Sequence, residues 1–468
     1  MYFFDQNPYY ANRPLCIDAD NSVIIRYGQW YEAAAALKQI LSPRTLAFIL
    51  CSNTSGSLLA YLCCLQNRIV PLLLDEDMDE ALLKRLLTLY KPAYIFQKTK
   101  KAVPSGTALS ELYNYTVYRT DETSSVPLYG ELALLLTTSG STGSPKLVRQ
   151  SYQNIQANAS AIAQYLEITC DDRPITALPM HYTFGLSVIN SHVLAGAAVC
   201  LTESTLFEES FWQLCRSHHI TSMAGVPFTY ECLRRLRFCK MHLPDLTLLI
   251  QAGGKLSKTL QQEFALYAER CHKRFIVMYG QTEATARMSY LPPSHSLSKI
   301  GSIGIAIPGG TFHIMEDAAT EITQSGKAGE LCYDGPNVTL GYAQTAADLA
   351  KGDEWHGRLW TGDIACRDDD GYYYIVGRKK RFIKIVGKRV NLDEIEQLFR
   401  NDYTAYGFAC TGADDALHIY TTAPEDMQID LTEYFIKKTS LPAAAFTISH
   451  IAALPVNSSG KIQYSQLK

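Results

Sequence analysis

Short runs that are apolar at every position, set between helix-like stretches, constrain this chain more than anything else in it. Residues 46–51, 69–74 and 93–96 are three such runs. Between them, 57–65 has helix-like composition and 78–90 places Leu82, Leu83, Leu86 and Leu87 on one helical face. A strand apolar on both sides must be covered on both sides, and intervening helices supply that cover, which predicts a parallel-type sheet. The rhythm returns with a strand at 132–136, a loop at 139–145 and a helix through Leu166 that Ser151 would cap. Residues 246–250 and 275–278 are two further buried strands, each running into a polar or glycine-rich turn. Ligands of such sheets lie beyond the carboxyl ends of the strands, so these turns mark the candidate site.

The texture changes near Gly301, where β-like pieces at 311–315, 330–333 and 372–376 are punctuated by Gly and Pro. A charged stretch, Arg378-Lys-Lys-Arg381, then leads into a compact pattern of strand, helix and strand at 382–386, 392–400 and 406–410. The fold class expected is α/β. A large N-terminal domain, 1–377, holds parallel-type sheets covered by helices and a β-rich subdomain at about 300–377. A small α+β C-terminal domain follows at 378–468.

A net charge of -3 excludes a nucleic-acid or polybasic membrane surface as the main partner. Thirteen cysteines could suggest disulfides, but Cys63 and Cys64 are adjacent and Cys51, Cys200 and Cys332 lie inside apolar runs. Buried reduced thiols are expected instead. No apolar run is long enough to span a bilayer, and the first residues lack a basic signal-peptide start, so the expected location is the cytoplasm. The His218-His219 pair has no metal-ligand spacing around it and is expected to be structural.

The loop after the 132–136 strand reads Thr138-Ser-Gly-Ser-Thr-Gly-Ser-Pro-Lys146. Gly140 and Gly143 let the backbone curl so that N–H groups converge on one anion; Ser139, Ser141 and Thr142 add hydroxyl donors and Lys146 a charge. Pro145 stands where a Walker A loop needs its second glycine. A flexible linker has no reason to begin on a buried strand, so the residues themselves say that a polyphosphate is bound here.

This loop resembles the signature of the superfamily of AMP-forming acyl- and aryl-CoA synthetases, adenylation domains and luciferases. Further matches follow in that family's order: Tyr279-Gly-Gln-Thr-Glu283, Gly329-Glu-Leu with Gly341-Tyr342, Thr361-Gly-Asp363, Gly377-Arg378 and Pro455-Val-Asn-Ser-Ser-Gly-Lys461. The resemblance covers most of the chain and implies that a carboxylic acid reacts with ATP to give acyl-AMP and pyrophosphate. Residues 138–146 would grip the triphosphate, Tyr279 would stack on adenine, Gly254 and Gly280 would belong to the ATP/AMP-binding set, and Thr282 would contact the α-phosphate. Glu283 would help hold Mg²⁺, a hard cation that prefers carboxylate oxygen. Asp363 would bind both ribose hydroxyls, with Arg378 as a second ribose or phosphate contact. Lys461 matches the lysine whose ammonium bridges the attacking carboxylate and the nucleotide.

The family passes the acyl group on by swinging its C-terminal domain about a hinge, here near 378–380. Lys380 takes the hinge position, and Gly387 with Arg389 would flank the tunnel for a phosphopantetheine thiol. The acyl pocket would be built from His181, Tyr182, Phe184, Gly185 and Gly253. Tyr182 stands where a histidine is common. Gly185 stands where members that activate α-amino acids carry an aspartate, so a fatty, aryl or hydroxy acid is expected; an unpaired buried ammonium is costly. The acceptor would be CoA or a discrete acyl carrier protein. Lys379, Lys380, Arg381, Lys384, Lys388 and Arg389 could meet the phosphates of either. Tyr464 replaces an arginine frequent in relatives, and a weaker hold on the last segment is expected. A non-catalytic nucleotide-binding scaffold would lack Lys461, Glu283 or the loop; all are present.

Overall fold

The computed structural model describes residues 2–99, 101, 106–137, 146–385, 388–413, 416–439, 441–456 and 462–467. The loop 138–145, Gly387 and Lys461 therefore lie outside the described residues, as do the side chains of Lys380 and Arg389. The chain divides into two compact units. The first takes the described residues within Met1–Thr138, Ser144–Thr311 and Tyr333–Leu359, and the second those within Phe312–Cys332 and Trp360–Lys468.

The first unit is built on two sheets. One has eight strands, with Leu46–Cys51 parallel to both Val70–Asp75 and Tyr94–Lys98, and Val70–Asp75 parallel to Leu132–Thr137. The other has nine, with Ser222–Gly225, Leu248–Gln251 and Arg274–Tyr279 parallel in sequence order. The apolar runs of the sequence are these strands. Leu46, Phe48 and Leu50 point to the face covered by Leu86 and Tyr90 of the helix Glu80–Tyr90. Ala47, Ile49 and Cys51 point the other way, into a core that also takes Cys16, Val199 and Leu201 from the nine-stranded sheet. The helix Ser55–Gln66 lies in this shared core and is buried from Ser55 through Leu65. Sheets on two sides account for a helix that is apolar almost all round rather than amphipathic.

Both sheets are mixed rather than purely parallel. Past the loop 138–145 the chain returns as an unexpected strand, Leu147–Ser151, antiparallel to Leu132–Thr137. Its sequence, Leu-Val-Arg-Gln-Ser, does not read as buried, because Arg149 and Gln150 are polar; both are nevertheless fully enclosed. Ser151 then caps the helix Tyr152–Leu166, its hydroxyl accepting from the Asn154 N–H at 3.0 Å. All thirteen cysteines are free thiols, most of them buried, and burial pushes the Cys51 thiol up to about 12. No helix among the described residues is long and apolar enough to cross a membrane.

A four-stranded sheet of Thr311–Met315, Gly329–Asp334, Arg358–Arg367 and Tyr373–Arg378 contributes most of its residues to the second unit. Beyond it, the helices Leu392–Asp402 and Gln428–Thr439 pack with a three-stranded sheet of Phe408–Ala413, Ala416–Thr421 and Phe446–His450 around Phe399, Phe408, Leu431 and Phe435. Tyr464 corrects the expectation of a weak tail. Its ring lies under the Arg381 guanidinium, 3.9 Å from carbon to centroid, and its hydroxyl donates to Glu396 Oε2 at 3.0 Å. Glu396 also holds Arg381 at 2.5 Å and Arg400 at 3.2 Å, so a tyrosine serves as anchor.

Candidate active site

The strand Arg274–Tyr279 delivers Tyr279 and the Gly280–Glu283 turn at its carboxyl end, and its neighbour Leu248–Gln251 delivers Gly253 and Gly254 beside it. Gly280 is obligatory: a Cβ there would stand 1.7 Å from the Ala286 carbonyl oxygen. The turn closes through Thr285 and Ala286, with φ of 57° and 117°. For non-glycine residues these are strained conformations, which persist only where surrounding structure enforces them. That enforcement comes from residues 337–339. Asn337 Nδ2 donates to the carbonyls of Ala284 and Arg287 at 2.8 and 3.1 Å, Thr285 Oγ1 donates to Asn337 O at 2.7 Å, and Thr339 N donates to Glu283 O at 3.0 Å.

Glu283 is half-buried, and Tyr342 Oη donates to its Oε1 at 2.7 Å. Burial first, then the Glu283 charge, raises the Tyr342 phenol, so it stays protonated and remains a donor. Lys146 Nζ lies 5.4 Å from the centroid of the same ring. The phosphate-loop lysine and the metal-binding acid expected from sequence are thus joined by Tyr342, whose place beside them follows from the pairing of Tyr342–Ala343 with Leu147–Ser151. Arg149, wholly buried on that strand, fixes this arrangement. Its guanidinium donates to the carbonyls of Leu340, Tyr342 and Gly352 at 2.9, 3.1 and 3.1 Å, to that of Lys351, and to Glu354. Sequence reasoning missed Arg149, and its only signal was a lone arginine after Pro-Lys-Leu-Val.

In the second unit Asp363 and Arg378 are direct cross-strand partners. Arg378 Nε lies 3.5 Å from Asp363 Oδ1; the carboxylate is 5% exposed while the arginine is largely open to solvent. The Asp363 N–H donates to Thr361 Oγ1 at 3.1 Å, and Thr361 in turn donates to Leu331 O at 2.7 Å. All three polar residues of this motif are therefore held.

Four of the five expected acyl-pocket residues cluster at the start of the buried helix Thr183–Leu194, where the Tyr182 and Phe184 rings meet edge-on at 6.4 Å. The Tyr182 hydroxyl abuts Gly253, the fifth. Burial raises the Tyr182 phenol to about 12, so it is a neutral group. His181 Nε2 lies 3.7 Å from Asp75; burial lowers the imidazole pKa more than the aspartate raises it, which keeps the ring neutral. At Gly185 a Cβ would come within 2.3 Å of the Pro179 carbonyl oxygen. Packing alone thus demands glycine there, and no side chain of any charge fits.

Residues 8–343 match the AMP-binding enzyme family. The chain belongs to that family, among the AMP-forming, acyl-CoA synthetase-like ligases expected from its motifs. It is 28% identical over 380 residues to the 2-succinylbenzoate–CoA ligase of Listeria innocua, covering 78% of this chain and 76% of that one. The fold matches o-succinylbenzoate CoA synthetase from Bacillus subtilis in complex with its acyl-adenylate intermediate, with a TM-score of 0.78 at 22% identity over 97% and 95% of the two chains. The same synthetase with ATP and magnesium ion gives 0.77 at 21% identity, over 97% and 96%.

Proposed function

We propose that this enzyme activates a carboxylic acid lacking an α-ammonium group and transfers the acyl group to the thiol of CoA. The observation that carries the reading is the Lys146–Tyr342–Glu283 cluster, which gathers a cation and a carboxylate at the mouth of the phosphate loop. In the first step a carboxylate oxygen attacks the α-phosphorus of ATP, the bond to the β-phosphate oxygen breaks, and pyrophosphate leaves. In the second the thiol sulfur attacks the acyl carbon, the bond to the AMP oxygen breaks, and the thiol proton passes to solvent.

Two anions must meet in the first step, so residues that supply positive charge or N–H donors matter most. Residues 138–146 take the β- and γ-phosphates, and Thr282 orients the α-phosphate. A Mg²⁺ ion accompanying ATP fits Glu283, a carboxylate already oriented by Tyr342, and would neutralise charge on the leaving pyrophosphate. Asp363 accepts from the ribose hydroxyls and Arg378 steadies it. Lys461 is the ammonium between carboxylate and nucleotide, and the second step proceeds after rotation of a C-terminal domain, 378–468, about a hinge at 378–380. Lys380 would be the pivot there, with Gly387 and Arg389 beside the thiol.

Pyrophosphate exchange into ATP across a panel of carboxylic acids, followed by thioester assays with CoA and with acyl carrier protein, tests this reading. Acid-dependent exchange and a CoA thioester are expected. Absence of exchange with every acid would overturn it.

A further inference from the structure

The transfer step releases a thiol proton, and His181 is a titratable group that the reaction so far leaves idle. It stands at the carboxyl edge of the eight-stranded sheet, its Nε2 3.7 Å from Asp75. Asp75 ends the strand Val70–Asp75, whose Leu73 is level with Leu136. Asp75 therefore lies one residue past the level of Thr137, on the strand that feeds the phosphate loop. The Asp77 N–H donates to Asp75 Oδ1 at 3.1 Å, which leaves Oδ2 for the imidazole. Asn53 holds the segment that carries His181. Its Nδ2 donates to the carbonyls of Thr176 and Leu178 at 3.4 and 3.1 Å, and its Oδ1 accepts from the Met180 N–H at 3.1 Å. Neither ring nitrogen of His181 makes a hydrogen bond among the described residues, and 16% of the side chain is open to solvent. His192, further along, is the contrasting case: it is sealed in and spends its Nδ1 on the Val188 carbonyl.

An imidazole with solvent on one side and a carboxylate on the other is suited to taking up a proton. Burial lowers its pKa more than Asp75 raises it, so the free base prevails at neutral pH. Among the described residues Asp75 is the charged group that faces the ring. Glu76, next on that turn, is paired with Lys98 at 2.8 Å and with Lys101 at 3.5 Å. Tyr182, the residue after His181, abuts Gly253 with its hydroxyl, which sets the histidine–aspartate pair beside the acyl pocket. We infer that His181 is the general base of the transfer step, with Asp75 as its positioning residue. This rests on the acid–thiol ligase function proposed above. The neutral ring carries its proton on Nε2, toward Asp75, and Nδ1 takes the thiol proton as the S–H bond breaks. The sulfur electron pair forms the bond to the acyl carbon, and AMP leaves with the pair of the bond that breaks. The imidazolium, stabilised by Asp75, then gives its proton to solvent.

The carboxylic acid that gives the fastest ATP–pyrophosphate exchange serves as the probe. Transfer from enzyme-bound acyl-adenylate to CoA is followed in single turnover, so that adenylation does not mask it. In the wild type the transfer rate should level off above a pKa lower than the ordinary histidine value of about 6.5. A thiol left to ionise in solution would instead give a rate rising about tenfold per pH unit toward its own pKa of about 8.5. That second profile in the wild type would overturn the inference, whether or not any variant folds. His181→Gln should convert the first profile into the second, and at pH 7 it should lower transfer about 100-fold more than it lowers exchange. Asp75→Asn should give a smaller loss weighted to the same step. An equal loss in both reactions, or a loss of transfer that is the same at every pH, would make His181 a wall of the pocket and overturn its role. Unaltered transfer in His181→Gln removes the base and leaves the ligase standing; exchange with no acid removes both.

Discussion

Tyr342 and Glu283 are joined by a 2.7 Å hydrogen bond from phenol to carboxylate, and the opposite side of that relationship is the Lys146 ammonium 5.4 Å from the same ring. One aromatic side chain therefore neighbours both a carboxylate and a cation that the sequence places far apart. Tyr342→Phe keeps the ring and removes the hydroxyl. Since a hydrogen bond to a charged group contributes about 1.5–3 kcal/mol, kcat/KM for ATP in the exchange reaction should fall by about 10-fold or more. Raising Mg²⁺ should recover part of the loss, and an unchanged rate at all Mg²⁺ concentrations would remove Tyr342 from the machinery.

The buried Asp363 beside Arg378 predicts ribose selectivity. Asp363→Asn keeps the shape and loses the charge, so it should bind ATP more weakly. Its preference for ATP over 2′-deoxy-ATP should shrink by about 10-fold, the size expected for one charge-assisted hydrogen bond. Calorimetric titration of both nucleotides reads the ratio, and a ratio equal to wild type would assign Asp363 to the sheet alone.

Lys461→Ala should reduce pyrophosphate exchange by about 100-fold or more, the scale of losing a preorganised charge at the reacting atoms. ATP binding and the thermal midpoint should remain near wild type. Wild-type-like exchange in this variant would move the catalytic charge to another residue.

His192 gives the fold a defined acid sensitivity. It is 1% exposed, its Nδ1 meets Val188 O at 2.8 Å, and burial lowers its pKa from 6.5 to about 4. The folded pKa is below the unfolded one, so the unfolded chain takes up the proton first. The contribution is fully present above pH 6.5 and is lost progressively as pH falls toward 4, by about 2 kcal/mol between pH 7 and 5. Urea unfolding at both pH values should show that loss in wild type and a smaller one in His192→Asn. Parallel pH dependence in the two proteins would count against it.

The strands Leu46–Cys51, Val70–Asp75 and Leu132–Thr137 were legible because burial on both faces leaves an unbroken apolar run. Leu147–Ser151 was not, since Arg149 and Gln150 among its enclosed positions are polar and their acceptors come from residues 340–354 and from Thr282, which no local pattern announces. Asp363 and Arg378 were named through resemblance, but their adjacency depends on the register of a hairpin with a bulge between Ile364 and Ala365. Tyr464 misled because its value lies in Arg381 and Glu396, remote in sequence. Arg287, 1% exposed and hydrogen-bonded to Ser187 and Tyr165, could not be singled out either: in a sequence, a buried arginine looks the same as one on the surface.

Arg149 carries a consequence for how such an enzyme should be dissected. It donates to four backbone carbonyls and a carboxylate from beneath Tyr342, a set that the three N–H bonds of a lysine cannot match. A mutational screen scored on turnover would rank it beside the reacting groups, although it is enclosed by protein. Distinguishing scaffold from chemistry here requires each loss of activity to be read against the melting curve of the same variant.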